Sequence, residues 1–184
     1  MIGLRTFVLQ NSYMPISLIP VHTIPVEDAV TRVCNGTCHV VSEYDQEIKT
    51  QHAHMKWPSV IARNESFHHK PIVKLRPETL FYRDHGICVY CEKKLTVSEV
   101  TYDHYIPKRK GGERTWENIV SACSKCNSLK GHSDPVGEWE PKYKPYRPDY
   151  FKLLNVRKRF PIVLDHESWV DFLPKWENEV ILRT

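Results

Sequence analysis

The sequence predicts an α+β protein in which two short strands and a helix are clamped by four cysteines. A small mixed unit precedes this module and a Pro- and aromatic-rich, basic arm follows it. Three observations predict this class. Short β-branched and apolar runs alternate with segments opened by Pro and closed by Gly, a mixed pattern of strands and helices. Two Cys-x-x-Cys pairs, Cys88/Cys91 and Cys123/Cys126, stand 31 residues apart and frame one compact motif. Residues 134–149 interleave four prolines with Trp139, Tyr143 and Tyr146, the composition of an extended, packed-down segment.

Taken in order, residues 5–10 read as a strand and residues 13–19 as a second extended piece. Pro25, Glu27 and Asp28 open a short helix that runs to about Cys34, where Gly36 stops it. Residues 38–45 read as a strand, residues 57–61 as extended, and His68-His69-Lys70 as a loop. Pro77 and Gly86 bracket a helix that leads into Cys88. Inside the clamp, residues 101–106 read as a first strand, 107–117 as a loop and 119–122 as a second strand. Residues 123–130 read as a helix closed by Gly131. Residues 167–173 read as a last short helix. The expected division is an α+β unit over 1–75, the clamped module over 76–134 and the arm over 135–184.

Hydrophobic residues make up 41% and charged residues 26%, ordinary for a globular protein. No apolar run approaches the roughly 20 residues of a membrane span, so no membrane partner is expected. The N-terminus lacks a basic region followed by an apolar core, which predicts no signal peptide and a cytoplasmic location. There, six cysteines suit metal ligation or buried thiols better than disulfides. The net charge of +4 is unevenly spread: residues 104–160 hold 13 Lys/Arg against 6 Asp/Glu. That block suits a polyanion, although a solvated charged face has the same composition.

A Cys-x-x-Cys turn offers two thiolates to one zinc ion, and a second turn completes a tetrahedron with no open position. The Zn²⁺ expected at Cys88, Cys91, Cys123 and Cys126 is therefore structural, and its binding energy becomes folding energy. Cys34 and Cys38, with His52 and His54 downstream, read as buried thiols rather than a second zinc site.

Cys88-x-x-Cys91, Asp103-His104-x-x-Pro107, Gly111-Gly112, Trp116-x-Asn118 and Cys123-x-x-Cys126-Asn127-x-x-Lys130-Gly131 together resemble the HNH endonucleases of the four-cysteine type, from phages and bacteria. The resemblance is dense over residues 82–133. It implies a ββα-metal fold around one divalent cation, and the host cytoplasm if the chain is phage-encoded. It also implies that Asn118 pins the loop and orients the His104 ring. The family's second histidine is replaced here by Asn127.

The chemistry also follows from the residues. Phosphodiester hydrolysis needs a base to activate water and a cation to absorb charge on the leaving oxygen. His104 suits the base. Asp103 and Asn127 offer hard oxygens suited to Mg²⁺ or Mn²⁺. Asp103 and His104 are strand neighbours and point to opposite faces, so a strand end or bulge is expected there. Lys108, Arg109, Lys110, Arg114, Lys125 and Lys130 are expected at phosphates, with His132 as a further contact. Lys142, Lys144, Arg147, Lys152 and the basic run 157–159, mixed with aromatics, suit backbone tracking and base stacking. DNA is the expected partner. One active site cuts one strand, so a double-strand break needs a homodimer or two events, and other phage or host DNA-processing proteins are further candidate partners. The competing reading is a non-catalytic, zinc-ribbon-like module that binds nucleic acid or protein. Asp103, His104, Asn118 and Asn127 together discriminate against it.

Overall fold

A computed structural model describes residues 3–49, 54–66 and 72–183. The expected His68-His69-Lys70 loop and His52 lie outside the described residues. The fold is α+β, and the chain forms two units, Met1–Pro71 with Lys158–Thr184 and Ile72–Arg157.

The first unit is built on a four-stranded sheet in the order β2–β1–β4–β3. Its strands are β1 (Arg5–Leu9), β2 (Thr23–Pro25), β3 (Cys38–Lys49) and β4 (His54–Arg63). β1 takes its place because Thr6, Phe7, Val8 and Leu9 are β-branched or apolar and all are buried. It runs antiparallel to β2 and parallel to β4. The helix α1 (Val26–Cys34) packs Ala29 and Val33 against Val8, Ile24 and Ile61. Glu27 and Asp28 sit at its positive end, and Asn35 with Gly36 at φ +74° closes it.

One reading changes here and another is lengthened. The extended piece over 13–19 is a turn held by isolated bridges, Leu9 to Pro15 and Leu18 to Val21, because Pro15 and Pro20 have no N–H for a ladder. β4 runs straight through Pro58. The strand tolerates it because β3 shifts register on both sides of Glu43, the partner of Pro58, and β1 pairs with β4 only at Val60, Ile61 and Ala62.

The second unit begins with α2 (Pro77–Arg83), opened by its proline. β5 (Thr101–His104) and β6 (Ile119–Ala122) form an antiparallel pair, and α3 (Ser124–Lys130) follows directly. Leu80, Trp116 and Ile119 make one small core, and Cys88, Leu95, Ala122 and Cys123 another. Arg83 joins α2 to β6. Its Nε and Nη2 donate to Asp84 at 2.7 and 2.9 Å, Nη1 to the Trp116 and Tyr146 carbonyls, and Nη2 also to the Ile119 carbonyl. All five guanidinium donors are thus satisfied in a buried setting. The helix α4 (Tyr150–Arg157) starts where Asp149 Oδ1 accepts from the Phe151 and Lys152 backbone N–H groups at 3.0 and 3.2 Å.

The stretch 135–184, read from sequence as one arm, divides between the units at Arg157. Its last part returns to the first unit. There Trp169 stacks on Phe7 at 5.3 Å and donates its indole N–H to the Ser59 carbonyl at 2.9 Å. Burying an aromatic side chain of this size contributes about 2–3 kcal/mol. β7 (Ile162–Leu164) and β8 (Val180–Leu182) pair in parallel, and the expected last helix is a 3₁₀ turn over Glu167–Phe172. Among the described residues no helix is long and apolar enough to cross a membrane.

Candidate functional site

The four cysteines converge. Their sulfurs lie within 4.8 Å of one another, and Cys91 Sγ is 3.9 Å from Cys123 Sγ. A tetrahedron of Zn–S bonds of about 2.3 Å puts sulfurs about 3.8 Å apart, so the cluster fits zinc as it stands. The first pair rides a tight hairpin, with Cys88 N–H on the Lys93 carbonyl at 2.9 Å and Glu92 at φ +57°. The second pair straddles the start of α3, where Cys126 N–H reaches Cys123 Sγ at 3.4 Å. The Lys93 backbone N–H lowers the Cys91 thiol pKa, while burial raises Cys88 and Cys126. A central dication is what lets four such sulfurs coexist as thiolates. Cys34 and Cys38 are not part of any such cluster among the described residues, and Cys34 is exposed rather than buried.

β5 stands between the two halves of the clamp. It pairs with β6 from Thr101–Ala122 to His104–Ile119 without a register shift, so of the two expected arrangements, strand end or bulge, the strand ends at His104. Alternation then sends Thr101 and Asp103 to one face and Tyr102 and His104 to the other. α3 covers the first face. Asn127 Nδ2 donates to Thr101 Oγ1 at 3.0 Å and to the Tyr102 carbonyl at 3.1 Å, and among the described residues its Oδ1 receives no donor.

Asp103 is buried, and the contacts of its carboxylate were not anticipated. Lys130 Nζ lies 3.0 Å from Oδ2 and 3.2 Å from Oδ1, and the Tyr90 hydroxyl donates to Oδ2. Lys130, expected at a phosphate, is instead buried; its remaining bond goes to the His104 carbonyl at 2.8 Å. Burial, then the Asp103 bond and charge, push the Tyr90 phenol upward, so it stays protonated and donates. The i, i+3 spacing of Asn127 and Lys130 on one helix face could have revealed the lysine's direction. Tyr90 carried no signal beyond its place between two cysteines.

His104 is half-buried, and among the described residues nothing hydrogen-bonds to its ring. Asn118 holds the loop beyond it. Asn118 Oδ1 accepts from Ile106 N–H at 2.7 Å, and its Nδ2 donates to the Ile106 and Glu113 carbonyls at 3.1 and 2.9 Å. These bonds pin the loop; none reaches the His104 ring. Lys108, Arg109 and Lys110 form an exposed 3₁₀ turn, with Lys110 paired to Asp134 at 2.7 Å. Lys125 and His132 are exposed, and Arg114 stacks over the Tyr102 ring at 4.5 Å. Arg157, expected on a basic arm, is instead buried with its guanidinium 4.8 Å from the Tyr82 ring centroid.

Comparison with known proteins bears on this module and on the chain before it. A family model described as HNH endonuclease matches residues 88–135, and one described as HNH endonuclease-associated, N-terminal domain, matches residues 6–69. The chain is also similar to the CRISPR-associated endonuclease Cas9 of Corynebacterium diphtheriae, at 38% identity over 53 residues. That match covers 28% of this chain and 5% of the relative.

Proposed function

We propose that this chain is a metal-dependent nuclease that hydrolyses DNA phosphodiester bonds, a reading supported by the match of residues 88–135 to the family model described as HNH endonuclease and by the similarity to a Cas9 endonuclease. The observation that carries the reading is the end of β5. Among the described residues, a histidine ring with no hydrogen-bond partner follows a buried carboxylate, and the amide oxygen on the helix packed on that strand receives no donor. Asp103 and Asn127 are the residues that would hold the ion, and their two oxygens suit a hard cation such as Mg²⁺ or Mn²⁺. When bound, that cation supplies positive charge to the leaving oxygen.

The chain's own residues do the rest. A ring nitrogen of His104 takes a proton from the attacking water. Asn118 keeps the loop from Ile106 to Glu113 closed, which fixes where β5 ends. Lys108 and Arg109, exposed on that loop, contact phosphates and set register without reading sequence. The sulfur cluster shapes the module and takes no part in the chemistry. A single site of this kind nicks one strand, and a homodimer or two sequential events would cut both.

The test is incubation of supercoiled plasmid with Mg²⁺ or Mn²⁺. Nicking by the wild type that His104→Ala reduces at least 100-fold is expected. One observation favours a second reading: the pairing of Asp103 with Lys130 is also what a non-catalytic zinc module that binds nucleic acid would have. Absence of cleavage with every divalent ion tried would select that module.

A further inference from the structure

The pairing of Lys130 with Asp103 lies inside the proposed cation site, and no step above uses it. The Lys130 side chain is 0% exposed and that of Asp103 4%. Around Nζ stand Oδ1 and Oδ2 of Asp103 and the His104 carbonyl, at 3.2, 3.0 and 2.8 Å. An ammonium has three donors, and these acceptors account for them. The Tyr90 hydroxyl adds a bond to Oδ2, and its ring lies 6.0 Å from Nζ. The carboxylate is therefore already neutralised and solvated by the protein itself.

The geometry points to an exchange. We propose that Lys130 is the resident counter-ion of the cation site, and that a divalent ion reaches Asp103 only by displacing the Lys130 ammonium from it. This rests on the reading of Asp103 as a cation ligand. A buried carboxylate with no counter-charge is strongly destabilising, so the ion-free protein needs the lysine where it is. An ammonium and a dication on one poorly hydrated carboxylate repel one another, which opposes their sharing it. Lys130 thus weakens ion binding in proportion to how well it holds Asp103.

The elements that carry the lock are those that carry the zinc cluster. Lys130 lies one turn after Cys126 on α3, and Tyr90 lies between Cys88 and Cys91. The sulfur cluster so places both partners of Asp103, and the exchange is a local movement of one side chain within a fixed frame.

Mn²⁺ binding by the full chain, measured by titration calorimetry on wild type and Lys130→Met at matched zinc content, tests this. The variant is expected to bind Mn²⁺ at least tenfold more tightly. It is also expected to unfold at a lower temperature without added ion, with the difference closing at saturating Mn²⁺. Binding with an equal or higher dissociation constant overturns the exchange alone. Absence of Mn²⁺ binding in both proteins, or undiminished binding by Asp103→Asn, overturns the reading of the cation site beneath it. A second measurement needs no variant at Lys130. In wild type labelled with ¹⁵N-lysine, the buried ammonium gives a slowly exchanging NMR signal, and saturating Mg²⁺ is expected to shift it and speed its exchange with water. A signal unmoved at saturation overturns the proposal.

Discussion

At Gly112 a Cβ would lie 1.7 Å from the Ile106 carbonyl oxygen and 2.7 Å from Asn118 Nδ2, so the loop after β5 closes on its own backbone through a position only glycine fills. Gly112→Ala has to push Ile106 and Asn118 apart, and with them the three bonds that Asn118 makes. A cost of about 2 kcal/mol or more is expected in denaturant unfolding, together with loss of cleavage. A variant as stable and active as wild type would show that the loop has slack. His22 sets a different residue-level property. Burial first, then Arg32, Arg63 and Arg5, lower its pKa from 6.5 in the folded state. The unfolded chain therefore takes up the proton more readily, and stability rises with pH across the window below 6.5 and is fully present above it. The melting temperature should fall as pH drops from about 7 to about 5, and fall less in His22→Gln. Parallel pH curves for the two proteins would exclude His22 as a source.

Between elements, the second unit depends on a cluster of sulfurs and on a buried ion pair. Cys88→Ser should lose the bound zinc and unfold residues 72–157, read as zinc content by mass spectrometry and as protease sensitivity confined to that unit. Full zinc occupancy in the variant would contradict the four-sulfur site. Arg83→Met strands Asp84 in the interior with, among the described residues, only the Ser121 N–H at 2.8 Å, and a loss of about 3–5 kcal/mol is expected in unfolding experiments. These two features differ in how far the sequence shows them. The clamp is legible because metal ligation fixes residue type and spacing together, and so is the strand, loop, strand and helix between its halves. Arg83-Asp84 looks like any charged helix end, since nothing local says that Trp116, Tyr146 and Ile119 will turn their carbonyls toward it. Only residues 57–61 of β4 (His54–Arg63) were legible, because a proline argues against a long paired strand and Pro58 is allowed only by the shifted register of β3. α4 was hidden by Pro145 and Pro148, although Asp149 directly after them is the helix-opening residue. In the candidate site, the identity of Asp103 was readable and its partners were not. Tyr90 and Lys130 reach it through tertiary packing of the hairpin and α3 onto β5.

Over the whole molecule, charge separates along the same division as the fold. Residues 72–157 carry 16 Lys/Arg against 11 Asp/Glu, and the rest of the chain carries 10 against 11. The net positive charge therefore belongs to the unit with the candidate site, and the sheet unit is close to neutral. Not all of that charge faces water: Arg83, Lys130 and Arg157 are buried, and Lys110 and Lys142 are paired with Asp134 and Glu92 at 2.7 Å each. Lys108, Arg109 and Lys125 remain exposed without an ion pair among the described residues. Each phosphate neutralised contributes about 0.9 to the slope of log affinity against log salt on duplex DNA. Replacing Lys108 and Arg109 together by Ala should therefore flatten that slope by about 2, in a fluorescence titration with a labelled duplex. Replacing Lys158 and Arg159, which belong to the near-neutral unit, should leave the slope unchanged. An equal loss from both pairs would mean that DNA engages the sheet unit as well, and the uneven charge would then not decide where the duplex lies.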